Sequence, residues 1–355
     1  MRIGVPKETK ALEGRVALVP AAAGDLVRRG HAVWIEQGAG QRSGFADADY
    51  ERLGARIAPD AASLYEQGEL IVKVKEPIDG DLALLREHHL LFCYLHLAPD
   101  PVLARRLRDI GLTGIAFETV ELDSGELPLL APMSTIAGRI AVQVGTTHLH
   151  QPLGGKGVLL GGLPSTSRGK VVVFGAGQAG GAAVAAAAGG GANVVVFETR
   201  QDRRDAMMRI GLNVTTLHPY DDLVAREVAS ADLVIGAVLV TGAVAPHVLT
   251  RGMVRAMEGG SVLVDIAIDQ GGCFETSRPT TWQAPTYVEE GVTHFCVTNM
   301  PGAVPRTSSE AICAAILPWV DRLASGDWRG QPALVRGINV EAGRLVHPAL
   351  QSLDL

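Results

Sequence analysis

Aromatic residues are scarce, 5% of the 355 positions, and lysine is scarcer still, with six residues against 26 arginines. An interior short of rings is left to Val, Leu, Ile and Ala, the filling of parallel sheets covered by helices. The four cysteines (Cys93, Cys273, Cys296, Cys313) are scattered without a CxxC pair, which argues against a disulfide scaffold or a structural zinc site. Positive charge is not in surplus either. The formal net charge is −6, and a protein that wraps nucleic acid needs a basic face to displace counterions, so no nucleic-acid partner is expected. The opening MRIGVPKET sets Lys7 and Glu8 where a signal peptide would carry its apolar core, so a cytoplasmic location is expected. A chain 47% apolar and 20% charged is neither disordered, collagen-like nor a coiled coil.

Glycine, by contrast, is abundant at 42 residues, and the length predicts two domains. The longest uncharged run, residues 171–197, could span a bilayer, but seven glycines interrupt it. Two Val-rich quartets bracket an Ala-rich middle, which reads as strand, turn, helix and strand, with no membrane association. In the first 130 residues, candidate strands at 2–5, 32–36, 70–74, 91–95 and 114–117 alternate with candidate helices at 20–29 and 100–110. Such alternation indicates βαβ units. A long helix is predicted within 127–150, with Ser134 as its cap, and it is a candidate hinge. Further strands follow at 171–174, 194–198, 214–217, 233–238, 261–266 and 294–297, with helices near 182–190, 221–230 and 250–257. After 305 the pattern is helical and could return to the first domain. The expected layout is 1–130 plus 305–355 as one domain and 131–304 as the other.

Gly175-Ala-Gly177-Gln-Ala-Gly180 matches GxGxxG between a strand and a helix. The first glycine permits the tight turn, the second lets backbone approach a pyrophosphate, and the third lets helix and strand pack closely. The helix N-terminus adds N–H groups for the phosphates. Glu198 ends the next strand, where a carboxylate accepts from adenosine ribose hydroxyls and repels a 2′-phosphate, which favours NAD over NADP. Arg200, Arg203 and Arg204 argue the other way, since an Arg cluster can hold such a phosphate.

Two of the six lysines, Lys73 and Lys75, close one apolar strand, on one face by alternation and at the carboxyl edge where ligands bind in open α/β sheets. Arg15 lies on the loop after the first strand, where a guanidinium can clamp a carboxylate. His96 ends the run LFCYL, and imidazole is the commonest proton-transfer group. Asp265 and Asp269 flank IAI at another strand end, and Asn299 lies on a loop where it could bond a carboxamide. On the residues alone, each has an ordinary structural alternative. The pairs His88-His89 and His148-x-His150 lack partners at ligand spacing and are expected on the surface, so no metal site is expected.

Taken together, the segments RIGVPKET, EGRVALVP, KVKEP, LFCYLHLA, AFETVE, LPLLAPMSTIAGR, GGKGVLLGG, GAGQAG, ADLVIGAVL, LVDIAIDQGGCFE and NMPGAVPRTS resemble the alanine dehydrogenase family over nearly the whole chain. The resemblance implies an α/β fold of two domains, a Rossmann-type NAD-binding domain and a discontinuous flavodoxin/Rossmann-like substrate domain. It implies NAD-dependent, reversible oxidative deamination of L-alanine to pyruvate and ammonium by a homohexamer. Arg15 and Lys75 match residues that hold the substrate carboxylate and carbonyl, His96 the proton-transfer histidine, and Asp269 a second catalytic residue. Ser134, Glu198, Arg203, Leu239, Ile266, Asn299 and Met300 match positions that contact NAD.

There are departures from the family pattern. Thr135 stands where Glu is common, Glu198 where Asp is commoner, and Thr241 and Val244 where Pro and Lys are frequent. Two other readings compete. One is a noncatalytic NAD(H)-binding subunit like the soluble domain of the proton-translocating transhydrogenase, which needs no amino-acid site, so Arg15, Lys75 and His96 weigh against it. The other keeps the chemistry and changes the small amino acid, since one methylene in a pocket discriminates by only ~1–3 kcal/mol.

Overall fold

The computed structural model describes residues 1–238, 246–351 and 353. Fifteen strands lie among these residues. Six come first: β1 (Arg2–Val5), β2 (Ala32–Glu36), β3 (Arg56–Ala58), β4 (Leu70–Val72), β5 (Leu90–Cys93) and β6 (Thr113–Ala116). The middle of the chain supplies β7 (Lys170–Phe174), β8 (Asn193–Phe197), β9 (Val214–Leu217), β10 (Leu233–Gly236), β11 (Val262–Asp265), β12 (Thr286–Glu289) and β13 (Val292–Phe295), and the end supplies β14 (Ile338–Glu341) and β15 (Arg344–Leu345). They fall into two compact units, Met1–Met133 with Gly302–Leu355, and Ser134–Pro301.

In the discontinuous unit the strand order is β15-β14-β6-β5-β4-β1-β2-β3. Strands β1 to β6 are parallel, and β14 and β15 add an antiparallel edge. This is the doubly wound order, whose reversal between β1 and β4 opens a switch point at the carboxyl ends of the strands. Local signals set the helices. Asp100 caps Pro101–Ile110 by accepting from Leu103 N at 3.0 Å, and Gly111, at φ +83°, ends it.

Two strands end earlier than alternation predicts. β4 stops at Val72 because the Glu8 carboxylate takes the amides of Val74 (2.7 Å) and Lys75 (3.2 Å). β5 stops at Cys93, three residues before His96. Lys73 is therefore no part of a solvated sheet end. It is 1% exposed, with Nζ 3.3 Å from Asp81 and 3.5 Å from Glu8, and Asp81 also accepts from the Tyr65 hydroxyl at 2.8 Å. Burial disfavours the ammonium, but Glu8 and Asp81 outweigh it and raise its pKa above the ordinary lysine value. His89 is also buried rather than on the surface. Its Nδ1 accepts from Arg86 N (2.9 Å), its Nε2 lies 3.0 Å from the Tyr65 carbonyl, and burial lowers its pKa.

In the continuous unit the order is β12-β13-β11-β10-β7-β8-β9, all parallel except β12. The uncharged stretch 171–197 folds as β7, the helix Gln178–Gly189 and β8, with Phe174 stacked on Phe197 at 5.2 Å. No helix among the described residues is long and apolar enough to cross a membrane. The helix Ala131–His148 begins before Ser134, which is thus within the first helical turns rather than the cap. Pro132 is tolerated there because the first N–H groups of a helix have no internal partner. His148, expected on the surface, is half-buried, with its ring 6.2 Å from that of Phe295.

Replacing Lys73 with Met would strand two buried carboxylates without their cation. Lys73→Met should lower unfolding stability by about 3–5 kcal/mol. The check is the denaturant midpoint at matched protein concentration, and an unchanged midpoint would contradict the structural role.

Candidate active site

The glycine turn of the continuous unit has a steric reason at Gly175 and at Gly180. Gly175 sits at φ +89°, and a Cβ there would lie 2.7 Å from the Ala237 carbonyl. A Cβ on Gly180 would lie 1.8 Å from the Gly175 carbonyl, so strand and helix close-pack only without it. At Gly177 the nearest atom would be Arg203 Nη1 at 3.8 Å, which leaves that side of the turn open to a phosphate. Gly138, one helical turn after Ser134, packs against the start of the phosphate-facing helix, where a Cβ would meet the Ala179 carbonyl at 2.1 Å. Residues i and i+4 share a helix face, so Ser134 belongs to the face that meets this helix N-terminus.

Glu198 follows β8 and is 7% exposed. Its Oε2 accepts from Ala176 N (2.9 Å), and its Oε1 accepts from Arg200 N (2.9 Å) and the Thr199 hydroxyl (3.2 Å). Burial opposes the charge, but the Arg200 and Ala176 amides outweigh it and hold the pKa below the ordinary carboxylate value. The neighbouring arginines have partners of their own. Arg200 forks onto Asp202 (3.1 and 2.7 Å), Arg204 caps the Glu198 and Thr199 carbonyls (both 2.7 Å), and Arg203 Nη1 lies 3.8 Å from Glu198.

Of the two aspartates after the next strands, Asp265 is fully buried. It accepts from Ala267 N (2.9 Å), Cys273 N (2.8 Å) and the Ser277 hydroxyl (2.5 Å), and burial raises its pKa. It thereby caps the turn Ile266–Gln270, which carries Ile266 half-buried and Asp269 exposed. Asn299, at φ +58°, precedes the buried Met300, where a short 3₁₀ turn begins. Leu239, Thr241 and Val244 lie outside the described residues. Among the described residues no cluster of His, Cys, Asp or Glu is set to hold a metal.

In the discontinuous unit, the long connection after β1 (residues 6–19) delivers Glu8, Lys10, Glu13 and Arg15. Arg15 is 2% exposed. Its Nε and Nη2 grip the Glu13 carboxylate at 2.6 and 2.5 Å, and Nη1 points to Met133 Sδ at 3.2 Å. Burial disfavours the guanidinium, yet Glu13 holds its pKa above the ordinary value. Lys75, after β4, has Nζ 3.4 Å from Glu76 Oε2, while Glu76 Oε1 accepts from Lys10 Nζ. His96 adopts φ +48° and is 42% exposed at its side chain. Its ring lies parallel to Tyr94 (3°, 5.6 Å), its amide donates to Glu118 Oε1 at 2.6 Å, and Nδ1 lies 3.9 Å from that oxygen. The Tyr94 hydroxyl donates to the Leu129 carbonyl at 2.6 Å, and burial pushes its pKa well up while the nearby Arg15 opposes this. Tyr94 thus links Arg15 to His96, and Glu8 links the Arg15 loop to Lys75. Cations, an imidazole and their carboxylates converge on the carboxyl ends of β1, β4 and β5.

Comparison with known proteins matches this geometry over both units. Residues 4–137 match the model for the alanine dehydrogenase/PNT N-terminal domain, and residues 141–348 match that for the C-terminal domain. The chain belongs to the alanine dehydrogenase/PNT family. It is 48% identical to an alanine dehydrogenase of Halomonas elongata, over 99% of this chain and 96% of that one. A solved L-alanine dehydrogenase is 47% identical, with a TM-score of 0.96 and 99% of each chain covered. A transhydrogenase from Sinorhizobium meliloti is 25% identical, with a TM-score of 0.85, over 98% of this chain and all of that one.

Within this family frame, inspection of single residues missed Tyr94, Glu8, Glu13, Glu76 and Glu118. Two had a local signal, since Glu13 and Glu76 stand beside Arg15 and Lys75 in sequence. Glu118 had none, because it meets His96 across 22 residues.

Burial opposes ionisation of Glu76, but Lys75 and Lys10 outweigh it and bring its pKa down to about 2. A depressed folded-state pKa adds stability above the unfolded value of 4.5, and this is lost as pH falls toward 2. Glu76→Gln should therefore remove up to about 3 kcal/mol at neutral pH and flatten the stability profile between pH 4.5 and 2. Denaturant unfolding across that range is the check.

Proposed function

We propose that this chain catalyses the NAD-dependent, reversible oxidative deamination of L-alanine: L-alanine, NAD⁺ and water give pyruvate, ammonium, NADH and a proton. The observation that carries the reading is the set of Arg15, Lys75 and His96 at the carboxyl ends of β1, β4 and β5, locked by Glu13, Glu76 and Tyr94. The discontinuous unit is the substrate domain and the continuous unit the NAD-binding domain.

The chemistry divides among the side chains. Arg15, charged and dry, faces the carboxylate of the acid, and Lys75 polarises its carbonyl oxygen. His96 moves protons as ammonia adds and water leaves, or the reverse. Asp269, exposed at the rim of its turn, assists with amine and water. Gly175, Gly177 and Gly180 admit the pyrophosphate, and Ser134, Arg203, Leu239, Ile266, Asn299 and Met300 contact the rest of the dinucleotide. When bound, the cofactor accepts or supplies a hydride at the substrate α-carbon. Glu198, held ionised, accepts from ribose hydroxyls, and Arg200 and Arg204 are already committed to Asp202 and to carbonyls, which favours NAD over NADP. The active assembly is a homohexamer in the cytoplasm, acting on small molecules alone.

Oxidation of NADH should require both pyruvate and ammonium in a panel of 2-oxo acids with each reduced cofactor. NADH binding without turnover would instead favour a noncatalytic transhydrogenase-like subunit, and a better substrate than pyruvate would change the amino acid. His96→Ala should abolish turnover with NADH affinity retained, and Lys75→Ala should cripple the pyruvate reaction. Light scattering should return six times the 37.3 kDa chain mass.

Glu198→Ala should weaken NAD binding about 10- to 100-fold, the worth of hydrogen bonds to a charged group, and narrow the gap to NADP. Titration of both cofactors is the measurement, and an unchanged ratio would take Glu198 away from the ribose.

A further inference from the structure

We propose that Glu118 is the positioning residue for His96, fixing the left-handed turn that presents the imidazole and setting a carboxylate beside Nδ1. The inference rests on the reading of His96 as the proton-transfer group. A residue with a Cβ occupies φ +48° only when its surroundings over-determine that conformation. Here one carboxylate does so. Glu118 accepts from Leu95 N at 3.2 Å through both oxygens and from His96 N at 2.6 Å. No carboxylate adjacent in sequence is available for the task.

Glu118 is itself firmly held. It sits in the turn Phe117–Thr119 that follows β6, and Phe117 is buried edge-on against both Phe92 (4.5 Å, 80°) and Tyr94 (5.1 Å, 77°). Tyr94 in turn carries the His96 ring on its face. Carboxylate and imidazole are thus referred to one aromatic cluster, so their separation is set by packing. At 3.9 Å the pair is in ion-pair rather than hydrogen-bond range. The carboxylate favours a proton on Nδ1, directs Nε2 to the reacting atoms, and stabilises the imidazolium that forms when His96 takes a proton. Glu118 also lies within electrostatic reach of Tyr94, Cys93 and His347. The first two are buried neutral acids, and His347 caps the final short turn through Nδ1, accepting from Ala349 N.

The test is steady-state kinetics of Glu118→Gln and Glu118→Asp across pH, in the deamination direction, beside NADH titration and melting. Glu118→Gln should lower kcat about 10- to 100-fold. KM for alanine and the affinity for NADH should stay within about threefold, so that the loss falls on turnover and not on binding. Glu118→Asp keeps the charge on a shorter arm and should lower kcat less than Glu118→Gln with KM again unmoved, so it carries the test if the Gln variant does not fold. Wild-type kcat in either variant would overturn the proposal, as would a fall in kcat matched by parallel losses of NADH affinity and melting temperature. Wild-type turnover and its loss in His96→Ala test the parent reading separately. If both hold while Glu118→Gln behaves as wild type, only the positioning role falls.

Discussion

The buried ammonium of Lys73 is the constraint on which the substrate-side geometry depends. A cation taken out of water is tolerated only when its counter-charges are fixed within a few ångströms, and Glu8 and Asp81 supply them. Glu8 cannot move without exposing that debt, so its second oxygen is available as a rigid acceptor for the amides of Val74 and Lys75. The point at which β4 ends, and with it the position from which Lys75 departs, follows from an ion pair one layer below. The catalytic candidates stand on this network rather than forming it.

The six parallel strands of each unit share one spatial order and one hydrogen-bonding device, and the units differ in a loop. In the continuous unit the second strand is followed at once by Glu198, which takes the amide of Ala176, two residues past β7. In the discontinuous unit β2 ends in Glu36, which takes the amide of Lys7, two residues past β1, at 2.8 Å. That bond ties the first two strands together in either unit and does not by itself indicate a ribose. Function separates at the connection that follows. A glycine turn leads straight into a helix and leaves backbone N–H groups for phosphates, whereas fourteen residues of loop bring side chains instead.

What was legible in the sequence follows the range of the interaction responsible. Gly175 and Gly180 answer to sterics within a few residues, and the quartets of β7 and β8 are apolar throughout because both faces of the sheet are covered. The strands β3 and β15, three and two residues long, carry no periodicity, and neither was foreseen. Lys73 and Lys75 looked alike by alternation, yet one is buried and the other meets Glu76 near the surface, a difference decided by Asp81, eight residues on, and by Glu8, 65 residues back. Asp265 and Asp269 were likewise indistinguishable until burial assigned one to the turn's own amides.

The pairing of these cations with carboxylates bears on the direction of charge in the proposed reaction. Glu8, Glu13, Glu76, Asp81 and Glu118 outnumber Lys10, Arg15, Lys73 and Lys75 by one. A bare excess of lysine and arginine would hold pyruvate well and resist every cationic species on the path. In the proposed reaction this set would instead tolerate a protonated imidazole, an ammonium or an iminium, because its carboxylates exceed its lysines and arginines. In that proposal the anionic end of the acid is recognised by the geometry of a locked guanidinium rather than by net charge, as expected of a site that must accept an anion and stabilise a cation on the same small molecule.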